Sequence, residues 1–275
     1  MLPRYGSVLS RKFFRATKFL RAICPFAILA PALSAPHASA QTKTDTPYYS
    51  RYYASKNTLG VFGAYSADSS HMLLGDAEHR MLLNFGVSYN RRLHVDNIVN
   101  WQYSGEILPV ALESDPLTRS VDVATSPVAG TFVTTGEAPM VTCAPFIDNY
   151  NFTEEETTFS GSDTFTCSGR RWTIGEAISP VGMQWNFFPR HKTQVFLEGH
   201  GGYMYSTQQI PVAQSGSFNF TLDLGAGFEI YRSKSRSIRA EYRYHHISNH
   251  GTAEFNPGID NGLFQITYCF RLGRK

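Results

Sequence analysis

A histidine, a serine two residues on and a carboxylate twelve residues beyond the serine stand near the C-terminus as His246, Ser248 and Asp260. A serine hydroxyl attacks an ester only when an adjacent base takes its proton, and that base works best when a carboxylate fixes its tautomer. In an extended strand, residues i and i+2 point the same way, so His246 and Ser248 share a face. Asp260 opens the next extended segment, so a hairpin can bring it beside His246. The parts of a Ser-His-acid hydrolase are therefore present. The plainer alternative is a His and a Ser tolerated at an aromatic belt, without chemistry, since H-x-S is an undemanding pattern.

Two other constellations are weaker. His200, His245, His246 and His250 lack the ligand spacing of a zinc site. His245 and His246 point oppositely in a strand, and residues four apart lie ~13 Å from each other there. The glycine-rich Gly199-His200-Gly201-Gly202 has no following helix to make a phosphate cradle, and reads instead as relief of crowding inside a narrow barrel. Neither a metal nor another cofactor is expected.

The elements that must position the triad are strands. Alternation of period two dominates the chain, most clearly from Phe218 to Ile230, where Phe218, Phe220, Leu222, Leu224, Ala226, Phe228 and Ile230 oppose a polar and glycine face. Seven further segments join it: Thr58–Ser66, Met81–Arg91, Ile98–Ile107, Thr173–Phe187, Gln194–Tyr205, Ser237–His246 and Ile259–Leu272. Strands of ~10 residues with an unbroken apolar face suit a bilayer crossing, and eight is the smallest common membrane barrel. Composition agrees. Of 275 residues, 17% are charged and 14% aromatic, a balance odd for a soluble domain and ordinary for a barrel whose outside is apolar. By parity, Tyr242 and Tyr244 lie with His246 and Ser248, and Phe264, Ile266 and Tyr268 with Asp260, so all three triad candidates face lipid. Arg239, Glu241, Arg243, Asp223, Glu229 and Glu198 fall on the opposite, interior face.

Residues 1–40 carry Arg4, Arg11, Lys12, Arg15, Lys18 and Arg21 and no acid, then the apolar run Ile23–Leu33 and Ala38-Ser39-Ala40. This is the pattern of a secretory signal peptide. Its removal takes six of the 25 bases and leaves 19 against 22 acids, so no basic patch argues for nucleic acid. Residues 41–275 then form a single barrel domain. Its connections alternate between short basic linkers and longer polar ones, which puts the short ones on the periplasmic side. The third connection, 111–169, holds nine acids and Arg119. It is expected as a solvated external loop insertion between strands three and four, with Cys143 and Cys167 as a candidate disulfide and Cys269 as a small buried residue.

Tyr244-His245-His246-Ile247-Ser248-Asn249, followed by Asn256-Pro257-Gly258-Ile259-Asp260, resembles the lipid A 3-O-deacylase (PagL) family, the acyloxyacyl-hydrolase-like enzymes of the bacterial outer membrane. The resemblance implies an eight-stranded antiparallel transmembrane β-barrel, all-β, that removes the ester-linked 3-hydroxyacyl chain at position 3 of lipid A. It implies Ser248 as nucleophile, His246 as general base and acid, Asp260 as the orienting carboxylate, and Asn249 and Gly251 in the region of the oxyanion hole. Lipid A or lipopolysaccharide of the outer leaflet is the expected partner, with a homodimer as a further possibility. Three features depart from the family pattern: Asp260 replaces the usual Glu, the 111–169 insertion is additional, and the chain ends without an aromatic. The competing expectation is a non-enzymatic small barrel with a structural or surface-binding role.

Overall fold

A computed structural model describes residues 52–154 and 156–272; the signal-peptide reading of residues 1–40 lies outside them. The described chain forms ten antiparallel strands: β1 Asn57–Ser66, β2 Met81–Val95, β3 Val99–Ser126, β4 Gly130–Pro139, β5 Phe146–Glu154, β6 Thr157–Phe187, β7 Thr193–Ser206, β8 Phe218–Ser233, β9 Arg236–Ser248 and β10 Ile259–Arg271. Eight of them close a ring. β1 pairs with β10 on one side and β2 on the other, and β3 pairs with β6 to complete the circuit. All eight expected crossing strands are present.

The burial pattern is inverted relative to a soluble protein. On β8, Phe218, Phe220, Leu222, Leu224, Phe228 and Ile230 are exposed, while Asn219, Thr221, Asp223 and Glu229 are buried. Outward apolar side chains meet lipid tails, and backbone polar groups are satisfied within the closed ladder. Inside, side chains fill the lumen, as the width of an eight-stranded barrel requires. Asn90 donates to Ser104 and Gln184 at 3.0 and 2.9 Å, and Gln102 donates to Asn186 at 3.0 Å. Arg239 donates to Asn90 at 2.9 Å, and Asn186 to Glu229 at 2.5 Å. Toward the long-loop end the lumen turns apolar. Ala64, Leu82, Ala111, Met204, Ile247, Ile259 and Leu263 pack with the loop residues Ala77 and Ile210. The barrel is filled below and capped above.

Two expectations are corrected. The second expected strand, Met81–Arg91, runs on through Arg92 and His94 to Val95, so the short connection after it is not basic but the turn 96–98, where Asp96 accepts the N–H groups of Ile98 and Val99 at 2.7 and 2.8 Å. Those N–H groups hold the Asp96 carboxyl below its ordinary value. More substantially, most of the segment expected as a loop insertion is sheet. β3 and β6 are 28 and 31 residues long, against the ~9–11 needed to cross a bilayer. Their pairing continues beyond the barrel to Thr125 and Ser160. β4 adds to the outer part of β3 and β5 to the outer part of β6, so a four-stranded paddle stands on the long-loop end. Its Thr, Val and Phe content favours strand, and cross-strand aromatic pairs support it. Phe146 stacks on Phe165 at 4.3 Å and Phe152 on Phe159 at 4.9 Å. The alternation was hard to read because both faces of the paddle are wet. Cys143 and Cys167 are joined by a disulfide, with 5.8 Å between their Cα atoms, which ties the β4–β5 connection to β6. Cys269 is buried.

Candidate active site

The hairpin of β9 and β10 sets the site. Its register places Asp260 directly opposite His246, and His246 Nδ1 lies 2.7 Å from Asp260 Oδ1. A shorter acid suffices here because directly paired residues on one face hold their Cβ atoms only ~4.5–5.5 Å apart. The Asp260 side chain is fully buried and that of His246 is 12% exposed, so the pair is shielded while the imidazole keeps an opening.

Asp260 has further partners that the sequence did not reveal. The Tyr244 hydroxyl donates to Oδ1 at 2.8 Å, and the N–H groups of Leu73 and Leu74 donate to Oδ2 at 2.7 and 2.8 Å. A carboxylate that accepts four hydrogen bonds is fixed in position. Tyr244 also stacks its ring parallel to that of His246, with 6.5 Å between centroids. Its shared parity with His246 was the available signal; nothing local pointed to Leu73 and Leu74.

Those two residues come from the 67–80 loop, which folds down on β10. Ser70 and Ala77 donate their N–H groups to Asp260 O and Gly258 O at 3.2 and 3.1 Å. The contact needs glycine. A Cβ on Gly75 would lie 2.7 Å from Asp260 N, and Gly258, at φ +63°, sits where a Cβ would come 3.1 Å from His246 Cε1. The other end of the loop is anchored to the paddle base. Arg80, fully buried, reaches Asp115 at 3.4 Å and donates to the carbonyls of Glu78, Met140 and Val141. Arg171 holds the same Asp115 at 2.6 Å.

Ser248 lies on the same face as His246, and both are partly exposed. The Ser248 hydroxyl accepts the His250 N–H at 3.3 Å; in this structure His246 and Ser248 are not hydrogen-bonded to one another. Asn249 and Gly251 are occupied within the 249–258 loop. The N–H of Asn249 donates to Asn256 Oδ1 at 3.1 Å, its Nδ2 donates to Phe255 O at 2.8 Å, and the N–H of Gly251 donates to Asn249 Oδ1 at 2.9 Å. These bonds make Asn249 the frame of the loop. Any oxyanion role for the two N–H groups requires them to exchange these partners for an acyl oxygen.

The lipid-facing neighbours are apolar. Across the β8–β9 ladder, Phe220 stands opposite Ser248, Leu222 opposite His246 and Leu224 opposite Tyr244, and all three are exposed. Tyr203, Phe218 and Phe220 cluster with ring separations of 5.5 to 5.9 Å. A nucleophile candidate, a base candidate and its acid thus line an apolar track on the outside of the wall.

Residues 148–268, from β5 into β10, match the family model described as Lipid A 3-O-deacylase (PagL). The family likeness is to PagL. The matched segment contains His246, Ser248 and Asp260, and the apolar exterior and filled polar interior are those of a membrane-spanning β-barrel. Among solved structures, the crystal structure of the outer membrane enzyme PagL is similar at a TM-score of 0.44 and 13% identity, covering 78% of this chain and 99% of that one. Neisserial surface protein A (NspA) follows at 0.37 and 10%, covering 79% and 98%. OprG of Pseudomonas aeruginosa gives 0.37 and 10%, covering 81% and 99%. No curated protein matches the chain.

Proposed function

We propose that this protein is an outer-membrane lipid A deacylase that releases the acyl chain ester-linked at position 3 through Ser248, His246 and Asp260. The observation that carries the reading is the His246–Asp260 pair, 2.7 Å apart, on the lipid-facing wall beside Ser248 and inside the family match. Polar groups placed against lipid are costly unless the lipid is what they act on.

The chemistry follows from the placement. Ser248 Oγ attacks the ester carbonyl while His246 Nε2 takes its proton. Asp260, held by Tyr244 and the loop N–H groups, keeps the Nδ1 proton of His246 facing it and stabilises the imidazolium. The tetrahedral oxyanion collapses, the sugar oxygen leaves with the proton from His246, and an acyl-serine remains. Water, deprotonated by His246, then releases the free 3-hydroxy acid and restores Ser248. The reaction needs the Ser248 hydroxyl to leave the His250 N–H and meet His246 Nε2. The apolar track of Phe220, Leu222 and Leu224 supports the acyl chain where it already lies, in the outer leaflet.

The test is mass spectrometry of lipid A after incubation with the refolded protein and with Ser248→Ala, in several lipid environments. Loss of one 3-hydroxyacyl mass with the first alone is expected. Unchanged lipid A with both folded proteins sinks the enzymatic reading and leaves a structural or surface-binding barrel.

A further inference from the structure

The buried charges inside the barrel do not balance. Five carboxylates, Glu106, Glu198, Asp223, Glu229 and Glu241, face the lumen with two guanidiniums, Arg239 and Arg243, and all seven are buried. Arg239 reaches Glu229 at 3.3 Å. Arg243 takes Glu106 in a bidentate grip at 2.7 and 3.0 Å, holds Glu241 at 3.0 Å and also contacts Glu198. His245 lies 2.6 Å from Asp223. The buried carboxylates thus outnumber the guanidiniums by three, in a setting where an uncompensated ion is expensive.

His200 stands beside the excess. Its side chain is fully enclosed and its Nδ1 lies 3.8 Å from Glu198 Oε1. Neither ring nitrogen has a hydrogen-bond partner. The ring is seated against a glycine: a Cβ on Gly182 would fall 2.1 Å from His200 Cδ2. One nitrogen of His200 and one oxygen each of Glu106 and Glu198 lie within 4.8 Å of one another.

We propose that Glu106, Glu198 and His200 bind a divalent transition-metal ion of the Zn²⁺ type inside the barrel. The ion adds positive charge where carboxylates are in excess and gives the orphaned imidazole its partner. An imidazole with two carboxylates suits zinc, with a water in the remaining position, and suits Mg²⁺ or Ca²⁺ poorly because those ions prefer oxygen throughout. The site is distinct from the lipid-facing triad, and its place among the structural side chains makes its role one of stability. The zinc-type spacing missing among His200, His245, His246 and His250 is irrelevant here, since two of the three ligands are glutamates brought in from β3 and β7.

The protein is refolded into detergent with Zn²⁺, Mg²⁺ or Ca²⁺ supplied singly, freed of loose metal by gel filtration, and assayed for bound metal. About one retained zinc per chain is expected, with at least a tenfold loss in His200→Gln and no loss in His71→Gln, which removes an exposed histidine. No zinc in the wild type, zinc retained by a folded His200→Gln, or loss in His71→Gln instead, each overturns the proposal. So does one Mg²⁺ or Ca²⁺ retained in preference to zinc. Should His200→Gln fail to give the folded, heat-modifiable gel band, the zinc absorption spectrum of the wild type decides. One imidazole with oxygen ligands supports the site, whereas a spectrum without imidazole, or with several, rejects it.

Discussion

His245 and His246 are neighbours in the chain, and each meets an aspartate through Nδ1, Asp223 at 2.6 Å and Asp260 at 2.7 Å. Their settings differ completely. His245 points into the lumen among the charges around Arg243, and its neighbours two residues away on that face are Arg243 and Ile247, not a serine. His246 points outward, two residues from Ser248, with Phe220, Leu222 and Leu224 beside it. The same His–Asp pair is therefore a structural tie on one side of the wall and a candidate acid–base device on the other. Residue type and hydrogen bond are alike in the two; what differs is the nucleophile within reach and the solvent that carries the substrate.

That contrast yields graded predictions. The largest effect belongs to the outer face, where Ser248→Ala lowers lipid A deacylation by roughly 10³-fold or more, followed by mass spectrometry, with folding unchanged. Asp260→Asn keeps the shape but favours the wrong imidazole tautomer, so turnover falls by roughly 10³-fold while the barrel still folds. The matching inner change, Asp223→Asn, behaves in the opposite way. It leaves turnover within about threefold and lowers the unfolding free energy in urea by about 3 kcal/mol, because a buried charge loses its partner. If Asp223→Asn abolished turnover as Asp260→Asn does, with the fold intact, the division between the faces would collapse.

Smaller effects sharpen the outer site and the paddle. Gly258→Ala adds strain at positive φ and crowds His246 Cε1, at about 1–3 kcal/mol, and should slow turnover about tenfold while binding changes little. The paddle should respond to pH. Asp122, Asp163 and Asp148 stand in one cross-strand row, and burial together with those neighbours raises the Asp163 carboxyl above its ordinary value. The folded paddle then holds this proton more tightly than the unfolded chain. Its stability accordingly falls as pH rises from the ordinary carboxylate range through the raised value, and recovers as pH drops. Asp163→Asn should flatten that dependence and increase amide-exchange protection of β5 and β6 at neutral pH.

Much of this arrangement was legible before any coordinates. Alternation on β8 showed which residues face lipid, since a barrel wall with two different solvents imposes strict contrast between neighbours. The paddle showed no such contrast. Val121, Thr164 and Ile147 align across β3, β6 and β5 with water on both sides, so 111–169 read as a loop. The anchoring of Asp260 by Leu73 and Leu74 was equally hidden, because backbone donors from a distant loop leave no trace in residue type.

By itself, the order of residues determined the period of two, the outward face of β9, and hence the placing of His246 with Ser248 on the lipid side. Those are local properties, set by steric alternation along a strand. Only the closed structure decided that Asp260 lies opposite His246, that a loop locks it there, and that Glu106 of β3 comes to stand beside Glu198 and His200 of β7. Such meetings depend on the register between strands and on closure of the ring through β3 and β6, and a strand's own alternation is the same whichever partner it takes.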